Sequence, residues 1–256
     1  MKYIDVHTHP FLEYYDNPIE VCKNWQQEEM KLLFMVGTNF ENSKETIELS
    51  SKLDFVHPII GIHPNESNGL EDGKKLEEII TKDVIAIGEI GLDYHYDDTP
   101  SKSEQLISLI SQVEVAKKHN IPVMLHIRDA MEDAINFVSR DEYKNVTFIF
   151  HSFSGTKDDV EILLKNRNIY FSISGVVTFK NAQSTQEAVK NIPLERLFVE
   201  TDTPYLAPVP MRGKENKSPN VKHTYKFIAS LKNISENKLI EQVETNVEKV
   251  FKVKCK

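Results

Sequence analysis

Apolar, β-branched runs recur along the chain at intervals of about 23 to 38 residues, and between them apolar positions return at helical spacing. Eight such runs can be marked: Ile4 to His9, Leu32 to Gly37, Val56 to His63, Val84 to Glu89, Pro122 to His126, Val146 to His151, Ile169 to Ser174 and Arg196 to Asp202. Strands that are apolar throughout and joined through helices belong to a parallel sheet with both faces covered. Strict alternation of eight strands with helices predicts an α/β fold, a (β/α)8 TIM barrel.

Start and stop signals sharpen several helices. Asn17-Pro18 offers a cap residue followed by a proline at the first helical position, and Ser101 with Glu104 three residues later reads as a capping box. That helix is predicted to run to about His119, whose charge favours a helix C-terminus. Ser235 caps a final helix reaching about Phe251. No Gly/Ser tract or low-complexity stretch divides the chain, so residues 1–256 are expected to form one domain. The longest irregular segment, Pro204 to Pro219, follows the eighth strand, where barrels often bind phosphate, and it carries Arg212-Gly213-Lys214.

Composition narrows the function. With 40% hydrophobic and 27% charged residues, and no apolar run near the ~18 residues of a membrane span, the chain is expected to be soluble. A net charge of -8 argues against a broad basic surface for duplex nucleic acid, which leaves anionic groups to be met locally. Only five of the 31 basic residues are arginine, and two of them, Arg128 and Arg212, fall just beyond strand-like runs. Cys22 and Cys255 lie near opposite ends without metal or redox spacing, and the first strand occupies the place of a secretory leader, so the expected compartment is the cytoplasm. Nothing in the chain calls for a membrane or an obligate protein partner.

The candidate chemistry lies where the runs end. A strand alternates its faces, so His7 and His9 in Asp5-Val6-His7-Thr8-His9 point the same way. In a barrel the C-terminal ends of all strands share one face, and there this chain gathers His7, His9, His63, Glu89, His126, His151 and Asp202. With His63 set aside, four imidazoles and two carboxylates exceed what one catalytic ion needs when it keeps a position open for water. Two divalent ions sharing a bridging carboxylate fit better, with Mg, Mn and Zn all compatible. Glu200 should face the same way as Asp202 but deeper, where it can orient a ligand.

With these residues the chain resembles, essentially end to end, the TatD family of metal-dependent deoxyribonucleases among the amidohydrolase-like barrels. Its marks are DVHTHP at 5–10, GIHP at 61–64, GEIGLDY at 88–94, LHIRDA at 125–130, HSFSGT at 151–156, VTFKNA at 177–182 and ETDTPYLAPVPMRGKEN at 200–216. The resemblance implies that His7, His9 and Asp202 hold one ion, His126 and His151 the other, and that Glu89 bridges them. It also implies hydrolysis of phosphodiester bonds in single-stranded DNA, or RNA, as a 3′–5′ exonuclease. Asp202 and Glu89 would serve the metal-activated water, His63 the phosphate or leaving oxygen, and Arg128, Arg212 and Lys180 the phosphate charge. Asn65 and Ile127 depart from the family pattern in the substrate region.

Two other readings use the same residues. A barrel of this kind can hydrolyse an amide, ester or aminoacyl-tRNA, although the carboxylated lysine of related barrels is replaced here by Glu89. A metal-binding module without catalysis is the other, and it leaves the cationic residues beside the donors without a purpose.

Overall fold

Each of the eight runs forms a strand in the computed structural model, which describes residues 2–255. The strands are β1 (Tyr3–Thr8), β2 (Met30–Val36), β3 (Val56–Ile60), β4 (Ala86–Asp93), β5 (Val123–Arg128), β6 (Phe148–Phe150), β7 (Ile169–Ile173) and β8 (Leu197–Val199). The helices are α1 (Pro18–Gln27), α2 (Phe40–Ser50), α3 (Leu70–Ile79), α4 (Lys102–His119), α5 (Met131–Val138), α6 (Lys157–Leu163), α7 (Gln183–Asn191), α8 (Val221–Leu231) and α9 (Glu236–Phe251). Consecutive strands pair in parallel in the order β1 through β8, which makes the predicted (β/α)8 barrel with helices between the strands. Residues such as Val6, Leu33, Ile87, Val123, Phe148, Phe171 and Val199 are buried in one hydrophobic core.

The local signals act as the chain suggests. The Asn17 side chain accepts from Glu20 N at 3.2 Å, and Ser101 with Glu104 forms the reciprocal capping box that starts α4. Ser235 accepts from Lys238 N at the start of α9. His119 ends α4 but is paired with Glu77 of α3, so it joins two helices as well as meeting a dipole. Among the described residues no helix is long and apolar enough to cross a membrane.

Strand limits differ from the sequence runs at the ends that matter most. β4 continues four residues past Glu89 to Asp93, and β5 continues past His126 to Arg128. A charge reads as the end of an apolar run, yet Glu89 is only 4% exposed and faces the barrel's upper interior. Conversely, β3 stops at Ile60, and β6 and β8 are only three residues long, so His63, His151 and Asp202 stand on the connections just above them. The β4–β5 ladder shifts register between Ile87 and Ile90 and then pairs Gly91 with His126. Only glycine fits there: Gly91 has φ 153°, and a Cβ would lie 1.9 Å from the His126 carbonyl oxygen.

The seam between β8 and β1 is closed differently from the other junctions. Thr201 donates from its N–H and its Oγ1 to the buried Asp5 carboxylate at 2.9 and 2.6 Å. Above that, Asp202 N donates to His7 O at 3.0 Å and His9 N to Thr203 O at 2.9 Å, with a parallel bridge between Thr8 and Thr203. The irregular stretch after β8 is pinned to this seam: Asn216 Nδ2 donates to Thr201 O and Tyr205 O, and Ser218 Oγ bonds Thr8 Oγ1.

Candidate metal centre

β1 aims His7 and His9 to the same side, and Asp202, just beyond β8, adopts φ 61°, a left-handed conformation that Asp tolerates better than most residues. His9 Nε2 and His7 Nε2 lie 3.1 Å apart, and Asp202 Oδ1 is 3.2 Å from the former and 3.5 Å from the latter. β4 brings Glu89 between these residues and those of β5 and β6. Its Oε2 is 3.1 Å from His7 Nε2 and 3.7 Å from His9 Nε2, whereas its Oε1 is 2.6 Å from His126 Nδ1 and 3.1 Å from His151 Nε2. The donors thus form two groups, His7, His9, Glu89 and Asp202 on one side and Glu89, His126 and His151 on the other. One carboxylate spans both, with one oxygen turned to each.

The rear of most imidazoles is engaged, which settles which nitrogen faces inward. His9 Nδ1 donates to Val36 O at 2.7 Å, and His151 Nδ1 donates to Glu200 Oε1 at 3.1 Å. His126 turns its Nε2 to Asp93 Oδ2 at 3.0 Å, while His7 Nδ1 meets the Met124 sulfur. Outer carboxylates of this kind hold an imidazole in place and raise its basicity toward a cation. Inward lone pairs on mixed imidazole and carboxylate donors suit divalent transition-metal or Mg-like ions.

Charge is strongly coupled within the cluster. Burial opposes ionisation of Glu89, but His151, His7 and His126 outweigh it and hold the carboxyl well below its usual range. Burial likewise opposes a charge on His151, and Glu89 with Glu200 overrides it, so this imidazole is pushed well above the ordinary histidine range. His7, stacked on His151 at 4.0 Å between centroids, is lowered by burial and by that neighbouring charge. His63 is held down to about 3, by burial first and then by His126.

Six of the sequence-predicted residues, His7, His9, Glu89, His126, His151 and Asp202, are brought together in this cluster. Above it opens a cavity of about 690 Å³, lined in part by His63, Asp93, Arg128 and Tyr96. His63 Nδ1 accepts from Asn65 N at 3.1 Å, which leaves Nε2–H as a donor, and Nε2 lies 3.6 Å from Glu89 Oε1. Arg128 rests against the Tyr96 ring and donates from Nη1 to Tyr96 Oη at 3.1 Å. Arg212 and Lys180 do not line the cavity; the Arg212 guanidinium lies over the Phe179 ring, 4.2 Å from its centre, and Lys180 is exposed beside it. His95, on the loop after β4, pairs with Asp129 at 2.8 Å. Asp93 is the residue that reading the chain missed. The signal was its even spacing from Glu89, four positions along the same strand, which puts two carboxylates on one face when the strand runs on.

The family model of the TatD related DNases matches residues 4–252. The metal-dependent hydrolase YabD of Bacillus subtilis (strain 168), named as uncharacterized, is 34% identical over 253 residues, covering 97% of this chain and 98% of that protein. A similarly named metal-dependent hydrolase of Mycoplasma genitalium, MG009, is 38% identical over 264 residues, covering 98% and 99%. Among solved structures, YjjV, a TatD homolog from Escherichia coli K12, superposes with a TM-score of 0.89 at 23% identity over 98% of both chains, a likeness of fold.

Proposed function

Since the chain belongs to the family of TatD-related DNases and is a metal-dependent hydrolase, we propose that it cleaves phosphodiester bonds of single-stranded DNA, releasing nucleotides from the 3′ end, with RNA as the neighbouring substrate. His7, His9 and Asp202 would hold one divalent ion and His126 and His151 a second, Glu89 turning Oε2 to the first group and Oε1 to the other. When bound, such ions supply Lewis acidity that acidifies water and offsets charge on a phosphoryl group. Asp202, which lines the cavity, would accept the proton of the attacking water. Arg128 provides a fixed cation for a phosphate oxygen, and the neutral His63 presents its Nε2–H to the phosphate or to the leaving oxygen. Glu200 and Asp93 hold His151 and His126 in register. The free thiols Cys22 and Cys255 suit the reducing cytoplasm.

The observation that carries this reading is the sharing of one open cavity by His9, Glu89, His126, His151 and Asp202 with Arg128. A cation beside the donors suits an anionic ester, whereas an uncharged amide or ester has no use for it. The test is digestion of end-labelled single-stranded DNA and RNA with Mg²⁺, Mn²⁺ or Zn²⁺, beside a panel of amides, esters and aminoacyl-tRNA. Stepwise shortening from the 3′ end that stops with chelator is expected. Turnover of an amide or ester with intact oligonucleotides would replace the phosphodiesterase reading.

A further inference from the structure

Three tyrosines line the same cavity as the metal donors, and they fall into two groups on opposite sides of it. Tyr14 follows β1 and Tyr205 follows β8, the two strands that meet at the seam. Their hydroxyls are 2.7 Å apart and their rings stand edge to face at 83° with centroids 6.0 Å apart, so each restrains the other. Tyr96 follows β4, which together with β5 lies half-way round the eight-strand ring from that seam. It is restrained by Arg128, through both the ring contact and the Oη bond. Even so, Tyr205 is 51% exposed and Tyr96 48%, large aromatic surfaces left open beside a charged centre.

We propose that these two walls are stacking platforms for the bases on either side of the scissile phosphate, so that the substrate must present two successive unpaired bases. The inference rests on the phosphodiesterase reading and deepens it. A phosphate drawn to the metal donors and Arg128 carries a nucleoside on each side, and the strand then crosses the cavity from one wall to the other. Every base offers a π-face to such a ring, which gives affinity without sequence preference. In a duplex those faces are covered by neighbouring base pairs, so a paired strand reaches the metals only after fraying. Holding the rings in advance lowers the ordering cost of binding, which is what the Tyr14–Tyr205 and Arg128–Tyr96 contacts do.

The test uses the metal-loaded protein and nuclease-resistant phosphorothioate hexamers carrying a fluorophore, one of thymidine and one with the same backbone but no bases. Fluorescence anisotropy should show the thymidine strand bound at least about tenfold more tightly. Tyr96→Leu and Tyr205→Leu should each shrink that ratio, the double substitution should shrink it further, and the Phe variants, which keep the rings though not their hydroxyl bonds, should retain most of it. Equal affinity of the unaltered protein for the two strands overturns the proposal, as does a full base preference in the double Leu variant. Because binding is read without turnover, failure to cleave any oligonucleotide would count against the phosphodiesterase reading and not against the platforms.

Discussion

Replacing Glu89 by Gln keeps its shape and removes the charge that both donor groups share. The first group keeps His7, His9 and Asp202, an anion among them, whereas the second is left with His126 and His151 alone. The loss should therefore be unequal. A unit charge about 4 Å from another is worth about 4 kcal/mol at an effective dielectric near 20; a divalent ion doubles this, and desolvation of the buried carboxylate takes back several kcal/mol. A net of about 4 kcal/mol weakens the second ion about a thousandfold, and turnover that needs both ions falls by a similar factor. Elemental analysis after dialysis should find two ions per chain in the unaltered protein and one in Glu89→Gln. A further Asp202→Asn change should release that remaining ion, whereas His151→Ala should not. Retention of two ions by Glu89→Gln with near-normal turnover would refute the bridging arrangement, and loss of the β1–β8 ion first would refute the asymmetry.

Metal binding should release protons at neutral pH, because Glu89 and Glu200 favour the protonated form of His151, which must be neutral to ligate. Calorimetry in buffers of different ionisation enthalpy would show this, and buffer-independent heats would contradict it. For stability, the raised His151 contributes fully below its unfolded value of 6.5 and loses that contribution as pH rises through its folded value; the lowered Glu89 contributes fully above 4.5 and loses it as pH falls through its folded value. Chelator-treated protein should accordingly gain most from this pair between pH 4.5 and 6.5, seen as a thermal midpoint that falls as pH rises above 6.5 unless metal is added. Gly91→Ala should cost about 3 kcal/mol, or about 6–12 °C in midpoint, because the added methyl meets the His126 carbonyl, and a calorimetric midpoint within a degree of the unaltered protein would contradict it. Arg128→Ala should raise KM about tenfold for even a dinucleotide, whereas Arg212→Ala, outside the cavity, should raise it only for longer oligomers; a length series with both variants decides this.

The barrel was legible because a strand covered on both faces leaves an uninterrupted apolar signature, and eight of these between capped helices admit few arrangements. The clustering of the candidate donors was legible for a related reason: a His, Glu or Asp at the upper end of such a run has no solvent-facing strand side to occupy. What the chain could not display is where pairing stops. Glu89 looks like an end because it is charged, but the cluster around it compensates the charge and β4 runs on to Asp93. Hence Asp93 went unread as the partner of His126, while Glu200, flanked by the apolar β8 and two positions from Asp202, could be anticipated as a residue that orients a ligand, and the structure places it behind His151. Arg212 and Arg128 look alike in the sequence, each beyond a strand. Only the path of the segment after β8, tied down by Asn216 and Ser218, separates the one that enters the cavity from the one that rests on Phe179.

The seam between β8 and β1 also sets a timetable. Glu89, His126 and His151 are all present once residue 151 has been made, with 37 and 25 positions between successive partners. His9, by contrast, waits for a partner 193 residues later, Asp202. During synthesis the growing chain therefore carries the second donor group long before the first, and the first comes into being only when the last strand docks and shuts the ring. A divalent ion held there would tie the earliest-made strand to the latest, closing a loop of about three quarters of the chain, the kind of link that restricts an unfolded chain most. A copy cut short before Asp202 would lack that clasp altogether, so on the proposed reading hydrolytic competence would arrive together with completion of the barrel.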